Sequence, residues 1–216
     1  MDTTKRFGIF SPLFGSEPAH LDLFHLKNIH AVSKVRDCCR ASSNPLPDIS
    51  RLLDEANWRP HLVGATALAV LGYDRVAFGK LWSAFDAGSW VAPQLAVVAY
   101  LRDPDFPDKA KVRVLSRCPV ELSRVTPVDA LERHVVSGPA GSIERSAKAA
   151  NSLIYLLKLQ GPSGWLTTEL TSPDLATLLS ADCDGGASIA EEWLNSLTTA
   201  LKSLAIQRHQ EARGPL

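Results

Sequence analysis

The sequence predicts an all-α protein of stacked helical hairpins, either an extended stack or a compact helical bundle. Three observations predict it. Residues 57–101 hold two closely similar apolar helices joined by a one-sided helix. Much of the remaining chain repeats an apolar period near 3.6 residues, as amphipathic helices do. No stretch reads as a strand. Residues 112–115 come nearest, and their charged neighbours fit a helix equally well.

The two similar segments set the pattern. The first opens Asn57-Trp58-Arg59-Pro60-His61-Leu62, and the second Ser89-Trp90-Val91-Ala92-Pro93-Gln94-Leu95. Asn57 and Ser89 are expected as N-caps, because their side chains accept from free amides of the first turn. Trp follows, then Pro within that turn, where a missing N–H loses no intrahelical bond. Pro60 and Pro93 are 33 residues apart. A recurrence of this size suggests helical units that hide their apolar faces against one another. No Asp, Glu, Lys or Arg occurs from Pro60 to Tyr73 or from Ala87 to Leu101. A helix without a polar face must be covered on several sides. Neither run reaches the roughly 20 residues of a bilayer span, so both are expected as core helices. Between them, Phe78, Leu81, Trp82 and Phe85 share one face, and Arg75, Gly79, Lys80, Ser83 and Asp86 take the other.

On these residues the central stretch resembles HEAT-like or armadillo-type repeats: a turn, a Trp/Pro-opened helix rich in Ala, Val and Leu, then a second helix. The resemblance implies an α-solenoid whose surface grips another protein. It implies no activity, since one fold serves many functions. The run from Trp90 to Leu101 is also similar to stretches of small bacterial proteins of toxin-immunity type. That likeness implies a toxin or effector as the partner.

The other elements follow in order. Residues 1–15 are expected as an irregular apolar arm folded back on the body through Phe7, Ile9, Phe10, Leu13 and Phe14. Ser16-Glu17-Pro18 signals a helix running to about residue 40. Residues 41–47 form a linker punctuated by two prolines, and 48–56 a short helix with Ile49, Leu52 and Leu53. After the central stretch, two prolines mark a turn at 102–107, and 109–117 form a short helix. Thr126-Pro127 opens another helix that ends in a turn at 137–141. Ser142 starts a longer one to about residue 160. Residues 161–171 are expected as a loop carrying Trp165, 173–181 as a short helix, and 182–186 as a turn. Ser188 and Glu191 have capping-box spacing for a last helix. That helix, 188–210, has an apolar side of Trp193, Leu194, Leu197, Leu201 and Leu204, and suits the end of a stack. The whole chain, 1–216, is read as one domain.

Composition narrows the function. The 216 residues carry a formal net charge of zero, which removes the general electrostatic drive toward nucleic acid or membrane. Four cysteines, Cys38, Cys39, Cys118 and Cys183, lack the spacing of a zinc frame or a disulfide framework. Reduced thiols, no signal peptide and no membrane span point to the cytoplasm.

Searches for chemistry return little. His20, His25 and His30 recur every five residues, so on a helix they cannot share one face. Asp182-Cys183-Asp184-Gly185-Gly186 begins like a calcium loop, but Ala187 and Trp193 occupy the positions that need Gly and Glu. No phosphate-loop, dinucleotide or nucleophile-elbow motif occurs. No metal, cofactor or catalytic group is expected, and the chain is read as a non-enzyme. The candidate partner-binding residues are a basic strip of Lys109, Arg113 and Arg117 at helical spacing, a second strip of Arg145, Lys148 and Tyr155, and Trp165, a residue type common at interface hot spots.

The leading expectation is therefore a protein-binding helical module, with a bacterial immunity or adaptor role as its specific form. One alternative is a helical-repeat nucleic-acid-binding or DNA repair protein, which needs both basic strips on one groove. The other is a small-molecule enzyme or sensor with a pocket between helices.

Overall fold

The computed structural model describes residues 6–15, 19–26, 29–118 and 139–213. The described residues form helices and no strands. A 3-10 helix spans Gly8–Phe14. Eleven α-helices follow: α1 Ala19–His25, α2 Ile29–Arg40, α3 Leu46–Asp54, α4 Trp58–Leu71, α5 Arg75–Asp86, α6 Ala92–Arg102, α7 Phe106–Leu115, α8 Pro139–Leu159, α9 Gly164–Glu169, α10 Pro173–Ser180 and α11 Gly186–Arg213.

The core is organised around α4 and α6. Every residue of α4 from Pro60 to Ala69 is buried, and every residue of α6 from Ala92 to Ala99. Helix α4 packs on α1, α2, α3, α5 and α6, and α6 packs on α4, α5, α7, α8 and α11. Their lack of charge is thus matched by neighbours on several sides. The two helices run parallel, because their starts and their ends meet. Near the starts, His61 Nδ1 lies 2.9 Å from Ser89 Oγ. Near the ends, Arg102 Nε donates to the Ala69 carbonyl at 3.0 Å. Helix α5 returns the chain between them and buries Phe78, Leu81, Trp82 and Phe85. Each such side chain contributes about 1.5–3 kcal/mol of transfer free energy.

The Asn57 cap is as expected, and two further ends follow from local signals that the sequence reading left unnamed. Asn57 caps α4 by accepting from Arg59 N at 2.9 Å, and Asp74 caps α5 through Ala77 N at 2.8 Å. Helix α4 stops at Gly72, whose φ of 105° is open to glycine and whose N–H still bonds the Leu68 carbonyl.

Other boundaries differ from expectation, each for a local reason. The arm is a 3-10 helix, pinned by Asp48 accepting from Ile9 N at 3.1 Å, with Phe10 and Leu13 buried. The helix expected up to residue 40 is two, because Leu26 adopts a left-handed φ of 44° after α1. Ser89 does not cap α6. Val91 holds that position, and Ser89 turns to His61 instead. Residues 164–169, expected in a loop, are α9. Helix α8 begins at Pro139, three residues before Ser142. Ser188 and Glu191 do not cap α11, which starts at Gly186; Asp182 accepts from Gly185 N and Gly186 N at 3.0 and 2.7 Å. The Ser16 helix start and the Thr126 helix lie outside the described residues.

The last described helix meets the first two α-helices across the core. Trp193 of α11 donates Nε1 to the Leu23 carbonyl of α1 at 3.0 Å, and Arg36 of α2 donates to Gln207 at 3.3 Å. A single cluster of buried side chains runs from Phe7 to Leu204. In an extended stack each unit touches only its neighbours, whereas here α11 lies on α6, α8 and α2. The described helices therefore close as a compact bundle around the parallel pair.

Candidate functional site

The basic strip faces the chain's own carboxylates, but only Lys109 and Arg113 lie on α7; that helix ends at Leu115, and Arg117 follows it with a left-handed φ of 66°. Lys109 Nζ bonds Asp103 Oδ2 at 2.9 Å and reaches Asp105 at 3.5 Å. Asp103 has a fully buried side chain and also accepts Trp82 Nε1 at 2.7 Å. Arg113 makes a two-point bond to Asp86, each arm 2.7 Å, and stacks 4.1 Å over the Trp82 ring. Arg117 pairs with Glu169 at 2.6 Å and donates to Ser172. The strip ties α7 to α5, to the turn after α6 and to the α9 region.

The second strip, on α8, divides. Lys148 is buried, with Nζ bonded to Asp184 at 2.8 Å and lying 4.3 Å over the Trp90 ring. The Tyr155 hydroxyl is pushed above its ordinary value by burial and by the Glu191 carboxylate beside it. Arg145 donates to the Gly88 carbonyl at 3.4 Å. Trp165 is half-buried under the Lys111 ammonium, 5.3 Å away. All seven predicted residues thus have contacts within the chain. Of the seven, Arg145 alone lines a cleft that also holds Trp58 and Trp90.

That cleft has a volume of about 560 Å³. It opens where the end of α3, the start of α4, the end of α5 and the turn before α6 converge, with α8 at its side. Its walls include Trp58 and Trp90, so the two look-alike openings share one hollow. Both indoles are half-buried. Trp58 packs 5.4 Å from Phe24 under the Arg59 guanidinium, and Trp90 rests on Lys148. The cleft's charges are mixed. Lys80 pairs with Asp54 at 2.9 Å, Glu55 pairs with Arg6, and Arg145 sits beside Gly88. A second hollow of about 360 Å³, between Ile29 and α11, has only uncharged walls.

At the floor of the larger cleft lies a pair the sequence reading passed over. His61 is 4 % exposed. Its Nε2 bonds the Glu55 backbone carbonyl, and its Nδ1 meets Ser89 Oγ. A carbonyl only accepts, so neutral His61 carries its hydrogen on Nε2. Nδ1 is then the acceptor and the Ser89 hydroxyl the donor. The available signal was that His61 is the one ionisable side chain in an otherwise apolar helical run. Burying such a group requires hydrogen-bonding partners.

Fold and site together define an all-α protein with an inter-helix cleft walled by tryptophan and floored by a histidine–serine pair. Among the described residues no group of three or more His, Cys, Asp or Glu is placed to hold a metal ion, and no helix is long and apolar enough to cross a membrane. No protein-family model matches the chain, and neither curated proteins nor solved structures yield a match.

Proposed function

We propose that the protein is a binding module that grips a partner protein at the Trp58–Trp90 cleft, with an adaptor or immunity role as its specific form. One observation carries the reading: the two Trp-bearing openings converge on one hollow of about 560 Å³. Half-exposed indoles with paired charges around them suit an apolar side chain set in a hydrogen-bonding rim. The partner segment is one that offers such a side chain, a toxin or effector in the immunity form. The intramolecular pairing of Lys109, Arg113 and Arg117 favours this cleft over the basic strip as the contact surface. The same pairing weakens the nucleic-acid reading, which needs cations to neutralise phosphates. The cysteines form no disulfide, in keeping with a reducing compartment, and we place the protein in the cytoplasm.

The test is affinity purification of the tagged chain from its native cell, with wild type, Trp58→Ala, Trp90→Ala and Arg113→Ala in parallel. A stoichiometric protein partner retained by wild type and Arg113→Ala, and lost with either tryptophan, supports the reading. No such partner, or a complex indifferent to both tryptophans, overturns it.

A further inference from the structure

The Ser89 hydroxyl does not serve the helix it precedes. As an N-cap it would serve the amides of α6, but that helix starts three residues later and Val91 holds the cap. Instead the hydroxyl donates to an imidazole nitrogen whose ring is fixed from behind by a backbone carbonyl. Both groups line a cleft of about 560 Å³. That volume falls within the roughly 300–1,000 Å³ of small-molecule pockets. Nucleophile, base and a group that orients the base are thus joined by successive hydrogen bonds, as in serine hydrolases of unrelated fold, where a carboxylate takes the place of the carbonyl.

We infer that Ser89 is a nucleophile activated by His61, and that the cleft acts on small carboxylic esters. Ser89 Oγ attacks the ester carbonyl carbon while its proton passes to His61 Nδ1. The bond to the leaving alkoxide breaks, and that oxygen takes the proton from Nδ1, giving free alcohol and an acyl-serine. Water then adds to the acyl carbon, passing a proton to Nδ1. Ser89 Oγ leaves, recovers that proton, and the carboxylic acid is released. The Glu55 carbonyl on Nε2–H keeps the tautomer and supports the transient imidazolium. Arg145 lines the same cleft and donates to the carbonyl of Gly88, the residue before Ser89. The indoles of Trp58 and Trp90 and the side chains of Leu53 and Ala84 offer apolar contact to the acyl group. This inference goes beyond partner binding and is tested without a partner.

The cleft contains its own control. Ser83 also lines it, but its hydroxyl donates to the Gly79 backbone carbonyl at 3.0 Å rather than to an imidazole. A fluorophosphonate probe transfers phosphorus to an activated serine, with loss of fluoride and of the hydroxyl proton to the base. The experiment is to treat the full-length native chain with this probe, digest it, and quantify adducts by mass spectrometry. The expected result is an adduct on Ser89 and not on Ser83, lost in Ser89→Ala and lost when the wild type is treated in denaturing urea. His61→Gln should slow the labelling by about 100-fold or more. Wild type should also release p-nitrophenol from p-nitrophenyl acetate in a Ser89-dependent way. Absence of a Ser89 adduct, equal labelling of Ser83, or labelling that survives in urea would overturn the proposal. The last two comparisons need only wild-type protein, so a variant that misfolds does not obscure the answer.

Discussion

Arg102 donates its Nε to the carbonyl of Ala69, 33 residues earlier in the chain. The interval is that between Pro60 and Pro93, so the bond joins the ends of α4 and α6 at matching positions. Ala69 lies in the last turn of α4, where carbonyls have no intrahelical partner. The exposed arginine of one buried helix thus closes the end of the other.

Replacing it tests that closure. Arg102→Ala should lower stability by about 1 kcal/mol, since it removes one charge-assisted bond at a partly wet site. In a chain of this size the melting temperature should drop by roughly 2–4 °C. A melt superimposable on wild type would mean that solvent satisfies Ala69 equally well.

Two glycines should respond in opposite directions. A Cβ on Gly186 would overlap the Lys148 backbone carbonyl, because α11 crosses α8 there with nothing between them. Gly186→Ala should cost roughly 1–3 kcal/mol, as overpacking of a tight core contact does. Gly79 faces open space on α5, and Gly79→Ala should stabilise by up to about 1 kcal/mol through helix propensity. Urea unfolding of both variants reads the contrast; loss of stability in both would place α5 in a packing the structure does not show.

Asp103 is the charged group on which the α7 network depends. Its buried carboxylate accepts from Trp82 Nε1, Lys109 Nζ and Asp105 N. Asp103→Ala should cost roughly 3 kcal/mol, the range for breaking a buried pair and stranding its partners. Lys109→Met alone should cost less, because Lys109 is 33 % exposed and its charge is partly screened. A double-mutant cycle in urea checks the coupling, and purely additive losses would remove the network from the account.

Alkaline pH should destabilise the fold. Burial pushes the Cys39 thiol up to about 12 from 9.0, helped by Cys38. Burial likewise raises Cys118 to about 12, with Asp86 adding to the rise and Arg113 opposing it. In the unfolded chain these thiols ionise first, so above pH 9 the unfolded state binds fewer protons than the folded one. Stability then falls as pH rises toward 12, by up to about 1.4 kcal/mol per pH unit for each thiol. Lys109 acts with the same sign. Burial works against its ammonium, but bonds to Asp103 and Asp105 outweigh that and raise it above 10.5. Its contribution is complete below that value and is lost as pH climbs through the raised one. Denaturant midpoints from pH 8 to 11 measure the slope, which should flatten in Cys118→Ala; an unchanged midpoint across that range would contradict the assignment.

Much of the fold was legible because its signals are short-range. The uncharged runs of α4 and α6, the one-sided face of α5 and the cap Asn57 each depend on residues within a turn or two. The misplaced boundaries were ambiguous at that range. Ser89 is as good a cap by composition as Asn57, and only the nearby imidazole of His61 draws it away. Leu26 carries no mark of the left-handed backbone that divides α1 from α2. Nothing adjacent to Ser188 shows that Asp182, further back, takes the amides that start α11.

The sequence by itself determined that this chain is helical, which helices are buried, and that two alike segments stand at its centre. Only the tertiary structure decided what the polar side chains do. Arg113 meets Asp86 across 27 residues and Ser89 meets His61 across 28. Helical period follows from backbone geometry along one segment. The partner of a charge or a hydroxyl depends on how separate helices pack and in what register, and no local pattern encodes that.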